Sequence, residues 1–162
     1  MEIKPTPPKP LIIGVGNRDR GDDAIGPLVV DAVSERFGDR CLTRIAEGDL
    51  SDLSLYWQQD QDVTIIDAMV SGRPPGHVFE IDAIEGKLEI DSGLLSSHGV
   101  GVAEAIELAR VLGRLPRNLI IIGVEAVTFG QFDPLTEEVA VSVDRVVDRI
   151  GRLMDVYVWR SR

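Results

Sequence analysis

The run Leu11-Ile12-Ile13-Gly14-Val15-Gly16-Asn17 passes through Arg18-Asp19-Arg20-Gly21 into Asp22-Asp23-Ala24-Ile25-Gly26. Leu11 to Val15 is apolar on both faces, as a strand covered by helices on both sides would be, which places it centrally in a sheet. After the acids, Ile25, Leu28, Val29, Ala32, Val33 and Phe37 recur at helical spacing, and Gly38 is a natural stop. Pro27 is tolerated only near the helix entry. A strand, a glycine-bearing polar loop and an amphipathic helix in that order open an α/β protein, with chemistry expected at the turn.

Outward from that unit the same alternation continues. Cys41 to Ile45 reads as a second strand, Glu47-Gly48-Asp49 as a turn, and Leu53, Leu55 and Trp57 as part of a short helix. Val63-Thr64-Ile65-Ile66 is a buried strand that delivers Asp67 at its carboxyl end. Gly72-Arg73-Pro74-Pro75-Gly76 is a turn, and His77 to Ile81 returns as an antiparallel strand, which makes the sheet mixed. Asp91 to Ser97 reads as loop. Val102, Ala103, Ile106, Ala109 and Arg110 mark a helix ending near Gly113, and Leu119 to Val124 is another apolar strand. Past a long connection from Ala126 to Pro134, Val139, Val143, Val146, Ile150, Leu153 and Tyr157 form one apolar stripe on a final helix. The prediction is a three-layer α/β/α sandwich with a mixed, mostly parallel central sheet. Residues 1–162 form a single domain in this reading, with residues 1–10 as an extended arm.

Composition limits the partners. The 162 residues are 44% hydrophobic and 27% charged, which is globular rather than disordered. A formal net charge of −10 opposes binding to the phosphate backbone of nucleic acid. No stretch approaches the roughly 18 to 20 apolar residues of a membrane span, and the first ten residues contain no apolar signal-like core. Cys41 is the single cysteine, so an internal disulfide and a cysteine-based metal site are both out of reach, and the cytoplasm is the expected compartment.

Several chemistries compete for the opening turn. Gly14-Val15-Gly16 resembles a dinucleotide-binding turn, but position 19 is Asp where the third glycine is required. A phosphate loop fails as well, because no Gly-Lys-Ser or Gly-Lys-Thr follows and two acids stand where polyphosphate would approach. No nucleotide or organic cofactor is expected. One of Asp22 and Asp23 could cap the helix, although a second adjacent carboxylate adds repulsion. Asp67, ending a buried strand, needs solvent, a donor or a metal; a plain strand-ending turn residue is the competing reading. His98 is either an ordinary loop histidine or a third group at the same rim, and His77 reads as structural. In open α/β sheets ligands gather beyond the carboxyl ends of the strands. Carboxylates and an imidazole meeting there would form an oxygen/oxygen/nitrogen site suited to nickel, zinc or a related divalent ion, with open positions for water or substrate.

Taken in order, Gly14-Val15-Gly16-Asn17 with Asp22-Asp23-Ala24-Ile25-Gly26, Asp67-Ala68-Met69-Val70 with Pro75-Gly76, Ser97-His98-Gly99 and Ile122-Gly123-Val124 resemble the hydrogenase maturation proteases. The likeness spans almost the whole chain. It implies an α/β/α fold and an endopeptidase of aspartyl type that removes a C-terminal extension from the large-subunit precursor of a nickel-iron hydrogenase after nickel insertion. The nickel is carried by the substrate, and the family's three metal-binding positions, also its catalytic ones, fall on Asp23, Asp67 and His98. Two departures stand out. The first-loop acid is often Glu in the family and is Asp here, which makes Asp22 a rival to Asp23. A Gly-Gly-Thr turn common in relatives is replaced by Glu47-Gly48-Asp49. A non-catalytic chaperone holding the same metallated precursor is the alternative reading.

Overall fold

A computed structural model describes residues 6–86 and 100–160, with side chains through Tyr157. The expected arm therefore lies partly outside the described residues, and the 91–97 loop and His98 lie wholly outside them.

Among the described residues five strands form one sheet: β1 (Leu11–Val15), β2 (Leu42–Ala46), β3 (Asp62–Met69), β4 (Val78–Asp82) and β5 (Asn118–Glu125). Their order is β2-β1-β3-β5-β4. β1 pairs in parallel with β2 and β3, β3 pairs in parallel with β5, and β4 pairs antiparallel with β5. β3 holds the centre and every one of its residues is buried. That position explains its run of Val63, Ile65 and Ile66, since both of its faces meet helices.

One face carries α1 (Ile25–Phe37) and α4 (Ser142–Arg160). Ile12, Ile66 and Ile122 of the sheet pack there against Ile25, Val29, Val33, Val146, Ile150 and Met154. The other face carries α2 (Val102–Val111) and a 3-10 turn at Leu53–Leu55. Leu11, Ile13, Val63, Ile65 and Ile121 meet Leu53, Trp57, Val102 and Ile106 there. The alternation along each strand thus feeds two apolar layers, and the architecture is the predicted α/β/α sandwich with a mixed, mostly parallel sheet.

Glycine decides how closely α1 sits on β1. A Cβ on Gly14 would stand 2.2 Å from the Gly26 carbonyl oxygen, and one on Gly26 would stand 2.2 Å from that of Val15. The two glycines let strand and helix backbones touch, so the Gly14-Val15-Gly16 run serves packing where a nucleotide fingerprint would serve phosphate.

Three expectations need adjustment. Asp67 does not end its strand: Ala68 and Met69 continue it, paired with Val124 and Glu125 of β5. The final helix is two helices, α3 (Glu137–Ala140) and α4. The Ser142 hydroxyl donates to the Val139 carbonyl at 2.6 Å, competing with the backbone bond that a continuous helix would make there. Neither Asp22 nor Asp23 caps a helix, because both lie inside a 3-10 turn, Gly21–Ala24, and neither that turn nor α1 has a side-chain cap.

Candidate functional site

β1 and β3 are adjacent and parallel, with Gly14 level with Ile66. The next residues along them, Val15 and Asp67, therefore reach the same rim. Ile65 and Met69 both belong to the layer beneath α2, so the period-two alternation of a strand turns Asp67 toward that layer as well. It does so at the end where the apolar packing gives way to a cleft. This cleft has a volume of about 350 Å³ and is lined by Val15, Gly16, Asn17, Arg20, Asp23, Glu47, Gly48, Leu50 and Asp67.

Asp23 enters it from the loop after β1. Gly16 has φ +132°, and a Cβ on it would lie 2.0 Å from the Asp23 carbonyl oxygen. A glycine is required there, and it brings the Asp23 backbone directly against the end of β1. Asp23 Oδ2 then accepts the Asn17 N–H at 2.8 Å. Asp23 and Asp67 are each only 4% exposed. Burial and, next, the neighbouring Asp23 carboxylate hold the Asp67 carboxyl well above the usual aspartate range, against a smaller opposing pull from the Ala68 N–H. Two carboxyl groups of this kind can exchange a proton with water or a carbonyl, and can equally offer oxygen ligands to a divalent cation.

Asp22 points elsewhere. Its Oδ2 accepts the N–H groups of Val127 (2.8 Å) and Thr128 (3.2 Å), and its Oδ1 accepts the Thr136 N–H (2.8 Å) and hydroxyl (2.9 Å). Fully buried, it ties the long connection after β5 to the turn before α1. The adjacent acids are thus divided between a cleft wall and an internal brace.

Of the other residues considered, His77 is exposed, stacks on Phe79 at 6.3 Å between ring centroids and is not part of the cleft lining. Cys41 is buried in the α1/α4 layer, where burial raises its thiol. His98 lies outside the described residues. The described chain resumes at Val100, whose carbonyl accepts the N–H of Leu50 in the cleft wall at 3.3 Å. Among the described residues no group of three or more His, Cys, Asp or Glu side chains is placed to hold a metal. Arg20 and Glu47 are cleft residues with no place in the sequence-derived ligand set. Arg20 shares the loop with the acids, and Glu47 belongs to the turn that departs from the family pattern.

Fold and cleft together define an α/β/α protein with a two-carboxylate site at the carboxyl-end rim of its sheet. Residues 49–152 match the HycI family, hydrogenase maturation protease. The chain belongs to this family of hydrolases. It is 26% identical over 142 residues to the hydrogenase 2 maturation protease of Escherichia coli, covering 86% of this chain and 87% of that protein. It is 28% identical over 127 residues to the hydrogenase expression/formation protein HupD of Thiocapsa roseopersicina, and this match spans 77% of the chain but only 58% of HupD. In fold it is similar to the hydrogenase maturating endopeptidase HybD from E. coli, with a TM-score of 0.75, 21% identity and coverage of 92% and 93% of the two chains. Among the described residues no helix is long and apolar enough to cross a membrane.

Proposed function

We propose that this chain is an endopeptidase that removes the C-terminal extension of a nickel-iron hydrogenase large-subunit precursor after nickel has been inserted. The observation that carries the reading is the convergence of Asp23, from the turn after β1, and Asp67, from β3, on one cleft. Family membership supports the same activity. The nickel belongs to the substrate, and Asp23, Asp67 and His98 are the groups assigned to engage it. His98 enters this set through the family resemblance of Ser97-His98-Gly99.

In this mechanism the cleft holds the scissile peptide beside the acids, and positioning supplies part of the rate enhancement, on the order of 7 to 11 kcal/mol in favourable intramolecular cases. Asp67, favoured in its protonated form by burial and by Asp23, can donate a hydrogen bond to the carbonyl oxygen. Asp23 Oδ2 accepts the Asn17 N–H, which holds its carboxyl group in place at the cleft. The cytoplasm, where precursor and protease would meet, is the compartment that fits this reading.

The test is processing of nickel-loaded precursor by Asp23→Ala, Asp67→Asn and His98→Ala variants, followed as a loss of mass from the large subunit. Each should slow processing by about 10²- to 10⁴-fold, the usual range for a positioned acid or base. A variant that processes the precursor at the wild-type rate removes its residue from the mechanism.

A further inference from the structure

Among the described residues the sheet ends in two edge strands, β2 and β4, and an edge strand presents a row of backbone N–H and C=O groups to which another strand can add. The two edges are finished differently. β4 exposes Glu80 and Asp82, with Glu80 paired to Arg149, and charges of this kind discourage strand addition. β2 exposes one charge, Arg44, between the apolar Leu42 (49%) and Ile45 (41%).

The direction of the β2 backbone groups follows from the bonds at its two ends. The Leu42 N–H donates to the Pro10 carbonyl at 2.8 Å, and the Ala46 carbonyl accepts the Gly16 N–H at 3.0 Å. Along a strand, successive residues turn their N–H and C=O to opposite sides, so Leu42, Arg44 and Ala46 address β1 while Thr43 and Ile45 face outward. Among the described residues, no strand pairs with that outer side. The strand then runs directly into the cleft wall, because Ala46 is followed by Glu47 and Gly48, which line the cleft with Asp23 and Asp67. An extended peptide leaving the carboxylates past Glu47 and Gly48 comes alongside the outer edge of β2.

We infer that the precursor's C-terminal extension docks as an added strand on the outer edge of β2, bonded to the backbone of Thr43 and Ile45 and flanked by Leu42 and Ile45. Backbone bonds hold such a strand, and the side chains beside it select among sequences. The inference rests on the proteolytic reading and adds where the substrate backbone is held.

Ile45→Pro tests it, since it removes one outward N–H and leaves the β1 ladder intact, and edge strands accept proline. With nickel-loaded precursor the Kd measured by calorimetry and the KM for processing should both rise at least tenfold, with kcat within twofold of wild type. Hydrogen exchange on the wild-type protein provides an independent readout: the Thr43 and Ile45 amides should exchange faster than that of Arg44 and become protected when excess precursor is added. An unchanged Kd for a folded Ile45→Pro protein, or amides of Thr43 and Ile45 that precursor does not protect, overturns the docking. So does protection already present in the free protein, which would mean that another part of the chain occupies the edge. A wild-type protein that binds precursor with these amides protected but never cuts it would overturn the protease and leave the docking standing.

Discussion

Substituting the two adjacent acids one at a time should separate stability from activity. Asp22 is fully buried, and its carboxylate accepts bonds from Val127, Thr128 and both donors of Thr136. A single hydrogen bond to a charged group contributes about 1.5–3 kcal/mol, and removing one partner of a buried charged network costs roughly 3–5 kcal/mol in total, because such bonds do not add independently. Asp22→Ala should therefore cost about 3–5 kcal/mol. Asp23→Ala gives up the bond from Asn17 among its contacts but also removes a carboxylate that, after burial, raises Asp67, so the effects oppose and its net cost should stay below about 2 kcal/mol. In equilibrium urea unfolding followed by circular dichroism, with a slope near 2 kcal/mol per molar, the Asp22→Ala midpoint should fall by roughly 2 M. The Asp23→Ala midpoint should fall by less than about 1 M while processing is lost. Equal midpoints for the two variants, or an Asp22→Ala protein as stable as wild type, would refute the division of roles.

Asp67 also makes a pH prediction. Its folded-state pKa lies above its unfolded value, so folding takes up a proton and stability falls as pH rises from about 4 through the folded pKa. Asp67→Asn should be more stable than wild type at pH 7, with the advantage vanishing near pH 3, as read from thermal midpoints at both values. Glu125 runs the other way. Burial opposes its charge, but the Ser71 hydroxyl and N–H, the Gly72 N–H and the nearby Arg73 outweigh burial and hold its pKa below the usual range. Its contribution is therefore present at neutral pH and is lost as pH falls through that lowered pKa, so Glu125→Gln should lower the midpoint at pH 7 more than at pH 3. The glycines differ by surroundings. Gly14→Ala drives a Cβ into the Gly26 carbonyl and should cost about 3 kcal/mol or more, as overpacking at backbone does. Gly48→Ala meets open space at φ +74° and should cost about 1–2 kcal/mol, the left-handed penalty alone. Chemical denaturation of both variants checks the contrast.

Much of the fold was legible because apolar periodicity reports layers directly. The all-apolar Leu11 to Val15 and the stripe from Ile25 to Phe37 could be satisfied only by a covered strand and a helix lying on it. The end of β3 was set short because Asp67 reads as a terminator, whereas pairing of Ala68 and Met69 with β5 carries the strand onward. The apolar stripe of the last helix continues through its break, and the Ser142 hydroxyl that accompanies the break leaves no mark on that periodicity. Asp22 and Asp23 were indistinguishable by local reasoning. What separates them is contact with residues 127, 128 and 136, more than a hundred positions away in the chain. Gly14 and Gly16 were visible as glycines, but their partners, Gly26 and the Asp23 carbonyl, are set by packing. Arg20 and Glu47 were hidden for a similar reason: nothing in their own spacing shows that the loop after β1 and the turn after β2 face one cleft.

The central claim is that this chain cuts a precursor whose nickel has been inserted. Purified protein should be incubated with the large-subunit precursor in nickel-loaded and nickel-free forms, and the subunit mass followed over time. A single loss of mass from the C-terminus of the nickel-loaded form alone is the predicted result. Tight binding of that form without any loss of mass would contradict the proteolytic account, and equal cleavage of both forms would contradict recognition through nickel.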